Sequence, residues 1–199
     1  GLIDLDEIGG FMRTLKALKL DLNHPGQLRE TDCQKLRSGY QKQMKLFVPG
    51  LSEKSAWLDK NPGLETHAPY WLTAFPGSRV SLVRRNPLDC LVSCLFTYLP
   101  TNPFSLQFFS PQAAAASIKT SLELQDRLLE IAEDSVDLIY YEEFISQRLG
   151  RQIPSPDQGI LHSPNYAQAR KALHRESIAR SEFYQEFLPK NLFETGPHR

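Results

Sequence analysis

Apolar positions recur along this chain with two different periods, and the switches between them mark its elements. Leu5, Ile8, Met12, Leu15 and Leu18 fall at helical spacing, which predicts an amphipathic helix over roughly residues 4–20, broken by His24-Pro25-Gly26. A second helix is predicted from Thr31 or Asp32 to about Phe47, with Leu36, Tyr40 and Met44 on one face, and Pro49-Gly50 ends it. Ser55 to Leu58 reads as a short strand that stops at Asp59-Lys60-Asn61-Pro62. An irregular or helical stretch from about Gly63 to Phe75 follows, and Pro76-Gly77 leads into a strand over Arg79 to Val83. The helix after Pro87 extends to about Tyr98, and residues 100–111, rich in Pro, Phe and Ser, read as a loop. Ala113 to Ala132 carries the strongest helical pattern of the chain. Val136 to Tyr141 is a predicted strand and Glu142 to Leu149 a short helix. From about Gly150 to Pro164 the composition is loop-like, and a basic segment, Ala167 to Arg180, leads into a terminal helix or two.

Short strands alternating with helices predict an α/β layer fold with a parallel sheet. Ligands in such sheets bind beyond the carboxyl ends of the strands. The three predicted strands all run into polar residues there: Asp59-Lys60-Asn61, Arg84-Arg85-Asn86 and Tyr141-Glu142. That convergence points to a site.

Composition narrows the reading. At 199 residues the chain fits one domain, 1–199, with a sizeable core. Its net charge is zero, so a broad nucleic-acid-binding face is not implied and any anion site is local. No apolar stretch is long enough to cross a bilayer, and Gly1 to Ile8 is acidic rather than built like a signal peptide. Cys33, Cys90 and Cys94 are odd in number and lack metal-ligand spacing. Cys90 and Cys94, one helical turn apart, read as packed thiols rather than metal ligands, and a reducing, cytoplasmic setting is expected.

The junction from Val83 to Ser93 holds the most chemistry. Val80, Leu82 and Val83 supply a buried strand, Asn86 suits an N-cap, Pro87 the first helical position, and Asp89 adds negative charge to the first turn. Two arginines beside backbone N–H donors at a helix start suit an anion. The bland alternative is an ordinary strand-to-helix junction with solvated arginines.

Arg85-Asn86-Pro87-Leu88-Asp89-Cys90-Leu91-Val92-Ser93 also resembles the 3′-phosphate-binding motif of sulfotransferases that use 3′-phosphoadenosine 5′-phosphosulfate (PAPS). Trp57-Leu58-Asp59-Lys60-Asn61-Pro62 is similar to the Asp-Lys-x-Pro segment of the subgroup containing tyrosylprotein and tetratricopeptide-linked bacterial sulfotransferases. Leu138 to Phe144 resembles the family's Tyr-Glu strand end. Ser177-Ile178-Ala179-Arg180 followed by Tyr184 resembles the Ser-Val-Gly-Arg-x-x-x-Tyr element, with Ala179 in place of glycine. These segments stand in family order across roughly residues 55–190.

The resemblance implies a role for each matching residue. Arg85 and Ser93 bind the 3′-phosphate, Lys60 faces the transferring sulfuryl group, Tyr141 contacts adenine, and Ser177 and Arg180 close over the nucleotide. Glu142 holds backbone or a neighbouring cation. Arg170, Lys171 and Arg175 either add positive potential or are surface charge. The general base maps onto Asp4, with Glu7 the alternative.

The fold so implied is a three-layer parallel sheet of the P-loop/sulfotransferase type, missing its first βα unit. The strand and the Gly-rich, Ser/Thr-rich loop that hold the 5′-phosphosulfate have no counterpart here. Gly9-Gly10 lies in a helical pattern with no strand before it and is not read as a substitute. An upstream segment or a partner chain completes the site, or activity has been lost. The implied activity is sulfuryl transfer from PAPS to a hydroxyl on a small molecule, a sugar or a protein tyrosine, with no metal, nucleic acid or membrane. The alternative is a non-catalytic nucleotide-binding or interaction domain. Tyr98, Phe104, Phe108 and Phe109 either line an acceptor pocket or pack within their loop.

Overall fold

Strands and helices follow one another along the chain largely as the hydrophobic pattern requires, and the main departure is at the N-terminal end. The computed structural model describes residues 2–4, 9–20, 27–48, 56–97, 105–149, 175–188 and 193. Contacts divide the chain into two units, the first made chiefly of Gly1–Val80 with Ala132–Val136, the second of Ser81–Ile131, Asp137–Ile153 and Ala167–Arg199.

In the first unit, strand β1 (Leu2–Asp4) precedes helix α1 (Gly10–Leu18). The helix predicted over residues 4–20 therefore starts at Gly10, and the residues before it are partly strand. Two adjacent glycines each weaken a helix by about 1 kcal/mol. The backbone of residues 2–4 instead pairs in parallel with strand β2 (Ala56–Leu58), matching Leu2 with Ala56, Ile3 with Trp57 and Asp4 with Leu58. That partner lies more than fifty residues away in sequence, so no local periodicity could reveal it.

Helix α2 (Glu30–Phe47) packs on α1, and a 3₁₀ segment (Pro62–His67) leads into helix α3 (Ala68–Ala74). Phe11 and Leu15 from α1, Leu36, Tyr40 and Met44 from α2, and Tyr70 and Ala74 from α3 form the core. Gly39 permits the close approach of α1 and α2, because a Cβ there would lie 2.6 Å from Thr14 Cγ2. Trp71 meets Phe11 and Tyr40 edge-on, with ring centroids 5.1 and 5.2 Å apart. Such pairs contribute about 0.5–1.5 kcal/mol beyond area burial. Arg37 Nη1 donates to the Ala74 carbonyl at 2.7 Å, satisfying an acceptor at the end of α3.

From Ser81 onward strand β3 (Val80–Arg84) belongs to the second unit, and it pairs with β4 (Val136–Tyr140). Helices α4 (Pro87–Phe96), α5 (Pro111–Ile131) and α6 (Tyr141–Gln147) complete it, α4 lying on α5. Leu82, Leu91, Val92, Ala114, Ala115, Leu128 and Ile145 are its buried apolar residues. The predicted loop over 100–111 contains a 3₁₀ turn, Ser105–Phe109. Of the expected terminal helices, the described residues show a single 3₁₀ turn, Arg180–Tyr184.

The element order and the parallel β1–β2 pair make this an α/β chain. Its four described strands lie in two two-stranded sheets, β1–β2 and β3–β4. No described helix is long and apolar enough to cross a membrane.

Candidate functional site

The β1–β2 register has a consequence for two of the candidate residues. Asp4 ends β1 opposite Leu58, and Lys60 follows two residues further on. Both candidates for catalysis therefore sit at the carboxyl end of one parallel strand pair, where α/β sheets place ligands. Lys60 is exposed in the coil after β2. Its neighbour Asp59 is fixed from α2, since the Tyr40 hydroxyl donates to Asp59 Oδ2 at 2.8 Å. Tyr40 is fully buried, and burial, reinforced by the Asp59 carboxylate, raises its pKa. It therefore remains a neutral hydrogen-bond donor at any physiological pH.

The start of α1 belongs to the same neighbourhood. Gly9 has φ 66°, a left-handed conformation that favours glycine, and a Cβ there would lie 3.7 Å from Asn61 Nδ2. The reading that no strand precedes Gly9-Gly10 is corrected by β1. Glu7, the alternative base, lies outside the described residues, as do Tyr98, Phe104, Arg170 and Lys171.

The second unit assembles the other candidates around the start of α4. Asn86 caps that helix, its side-chain oxygen accepting from Leu88 N–H at 2.9 Å and Asp89 N–H at 3.3 Å. The Asn86 N–H donates to Glu142 Oε1 at 2.8 Å, so Glu142 holds backbone. Of the two arginines at the strand end, Arg84 is occupied on α5, donating to Gln125 Oε1 at 3.2 Å and Asp126 Oδ1 at 2.7 Å.

Arg85 is held differently. Its Nη2 donates to the Ser177 carbonyl, and its guanidinium lies 5.0 Å from the centroid of the Tyr141 ring. Its buried Nε has no hydrogen-bond partner among the described residues. A positioned guanidinium with a spare N–H, beside a helix start, fits a phosphate oxygen. Ser93 lies on α4, eight residues after Arg85, and is half-buried. Tyr141 touches Arg85 through one ring face, a pairing that its expected role with adenine did not anticipate. Ser177 and Arg180 are also half-buried, in the segment that Arg85 holds.

Asp89 is the residue that sequence reasoning undervalued. Read as a source of negative charge for a helix start, it is 1% exposed and reaches instead to a segment ninety residues away. Its Oδ2 accepts from Ala179 N–H at 2.8 Å and its Oδ1 from Ser181 N–H at 2.7 Å. Ala179 has φ 56°, which explains why a glycine suits that position in the motif it resembles.

Cys90 and Cys94 sit one turn apart on α4, and all three cysteines are free thiols. Burial pushes the Cys90 pKa up to about 11, against the opposing pull of Arg85. A thiol pKa raised by folding stabilises the protein fully below the unfolded value of 9.0, and that contribution is lost as pH rises toward 11. Alkylation of native Cys90 by iodoacetamide, followed by mass spectrometry across pH 7–11, should therefore stay slow until about pH 10. Rapid labelling at pH 8 would contradict the burial.

Among the described residues no group of His, Cys, Asp and Glu is arranged to hold a metal. A sequence model of the sulfotransferase family matches residues 12–151. The matched span contains Lys60, Arg85, Ser93 and Tyr141, while Asp4, Ser177 and Arg180 lie outside it. Comparison with curated proteins and with solved structures returned no match.

Proposed function

Because this chain belongs to the sulfotransferase family, we propose that it moves a sulfuryl group from PAPS to a hydroxyl acceptor by in-line displacement. The acceptor oxygen bonds to sulfur as the bond from sulfur to the bridging phosphate oxygen breaks. The hydroxyl proton passes to a carboxylate, assigned to Asp4. The products are a sulfate ester and 3′,5′-adenosine bisphosphate. Lys60 stabilises the negative charge that grows on the leaving phosphate, a role worth about 10²–10³ in rate for a well-aimed donor. No metal is needed for that chemistry.

Arg85 and Ser93 anchor the 3′-phosphate, with Ser177 and Arg180 contributing from the C-terminal segment. With Arg85 on one face of Tyr141, adenine uses the other. The overall architecture is taken to be the three-layer sheet of the P-loop type. The 5′-phosphosulfate is held by a segment or partner chain beyond the residues assigned here. The acceptor class extends over small alcohols, sugars and protein tyrosines, and free thiols suit a cytoplasmic setting.

The observation that supports this reading most directly is the Arg85 guanidinium, fixed at a strand end with an N–H lacking an acceptor among the described residues. Calorimetric titration with 3′,5′-adenosine bisphosphate and with 5′-AMP tests it. The bisphosphate is expected to bind at least about tenfold more tightly, the equivalent of 1.4 kcal/mol for the extra phosphate. Equal affinity removes the reading. Tight binding without transfer of labelled sulfate to any hydroxyl acceptor identifies the non-catalytic alternative.

A further inference from the structure

A charged residue at the third position of a helix ordinarily serves its own helix. A carboxylate there reaches back to the N-cap N–H or simply answers the positive end of the dipole. In α4 the first task belongs to another residue, because Glu142 takes the Asn86 N–H at 2.8 Å. Asp89 is thereby released, and both of its oxygens are committed to the Ala179 and Ser181 N–H groups.

The geometry on the receiving side is specific. Ala179 is left-handed at φ 56°, and Arg180 begins a 3₁₀ turn. That alternation of hand points neighbouring N–H groups into a shared concavity that suits an anion. Here the anion is the chain's own carboxylate. Left-handed backbone at a non-glycine residue costs about 1–3 kcal/mol and persists where its surroundings enforce it. Asp89 accepts from the Ala179 N–H itself and from the Ser181 N–H two residues on.

Two further contacts run in the same direction. Arg85 Nη2 holds the Ser177 carbonyl at one end of the segment, and Phe96 meets Tyr184 at the other, with ring centroids 4.7 Å apart. Asp89, Ser93 and Phe96 are spaced four and three residues apart on α4, one face of that helix. The segment 177–184 thus follows the face of α4 that carries Ser93. Arg180 lies between the two residues whose N–H groups Asp89 holds.

We infer that Asp89 is a positioning residue that fastens the segment carrying Ser177 and Arg180 onto α4, so that these two residues and the Arg85–Ser93 pair form one 3′-phosphate-binding set. The inference rests on the PAPS reading above. It adds to that reading the device by which residues about ninety positions apart are brought to bear on one phosphate. Of the three contacts, the one through Asp89 is charged, buried and doubly hydrogen-bonded, the kind whose loss costs most.

Asp89→Asn tests this. The change keeps the side chain's size, removes its charge and turns one acceptor into a donor facing a backbone N–H. The full chain is titrated with 3′,5′-adenosine bisphosphate and with 5′-AMP as wild type, Asp89→Asn, Arg180→Ala and the double variant. Asp89→Asn should weaken bisphosphate binding about tenfold, leave 5′-AMP binding unchanged, and cost less on top of Arg180→Ala than it does alone. Equal losses for the two nucleotides, or additive losses in the double variant, overturn the inference by showing that Asp89 does not act through Arg180. Unchanged bisphosphate affinity in Asp89→Asn overturns it and leaves the PAPS reading intact. A wild type that does not prefer the bisphosphate overturns both. If Asp89→Asn does not fold, Ser181→Pro deletes one of the two N–H donors while sparing α4, and the same outcomes apply.

Discussion

Lys60→Ala should lower kcat for sulfuryl transfer by about 10²–10³ while leaving the affinity for 3′,5′-adenosine bisphosphate within about twofold. The asymmetry follows from when the charge appears. The leaving phosphate gains negative charge as the bond to sulfur breaks, so an ammonium aimed there stabilises the transition state more than the bound ground state. The bisphosphate product carries no sulfuryl group, and its affinity reports the 3′-phosphate anchor instead. Lys60→Arg should recover only part of the rate, because the guanidinium is planar and spreads its charge over a wider fork. Steady-state kinetics and calorimetry on the same preparations make the comparison. An Ala variant with unchanged kcat would remove Lys60 from the mechanism. A variant that loses rate and product affinity equally would assign it to binding.

Arg85→Ala should weaken 3′,5′-adenosine bisphosphate binding about 10–100-fold, with a much smaller effect on 5′-AMP. A hydrogen bond to a charged group is worth about 1.5–3 kcal/mol, and 1.4 kcal/mol is a factor of ten. Arg85 also holds Ser177 O and stacks on Tyr141, so truncation loosens two of its neighbours. Those losses fall on the same ligand and add to the effect. Arg84→Ala is the matched control: Arg84 is engaged by Gln125 and Asp126 on α5, and its removal should leave nucleotide affinity unchanged. If both variants bind as wild type does, the strand-end arginines are structural.

Much of the second unit was legible in the sequence because its signals are local. Asn86-Pro87 predicted the start of α4, and the Asn86 side chain caps it. Glu142 was expected to hold backbone or a cation, and it holds the Asn86 N–H. The unbroken helical pattern after Pro111 gave α5, which runs to Ile131. These features depend on residues within one or two turns of each other, where propensity and capping act.

The N-terminal error has the opposite origin. Five apolar residues at helical spacing described residues 4–20 as a helix, yet Leu2–Asp4 is a strand because β2 offers it a ladder. Strand pairing draws its stability from a partner at any sequence distance, and a short apolar run fits either period. Correcting that error altered the site as well as the fold, since it placed Asp4 beside the segment that carries Lys60. Asp89 shows the same limit. Its charge, its helix position and its membership of a motif were all readable, but its two acceptors serve N–H groups ninety residues on.

By itself, then, the sequence determined the alternation of strands and helices, the cap of α4, and the residue types able to meet a phosphorylated nucleotide. It did so because those properties are fixed by neighbours along the chain. Only the tertiary structure decided that Asp4 and Lys60 share one end of a strand pair, that Arg84 is occupied while Arg85 keeps an N–H without an acceptor among the described residues, and that Asp89 fastens Ala179 and Ser181. The physical reason is common to all three. Hydrogen bonds between groups far apart in sequence form only when a core has brought those groups together, and nothing local encodes which partner will arrive.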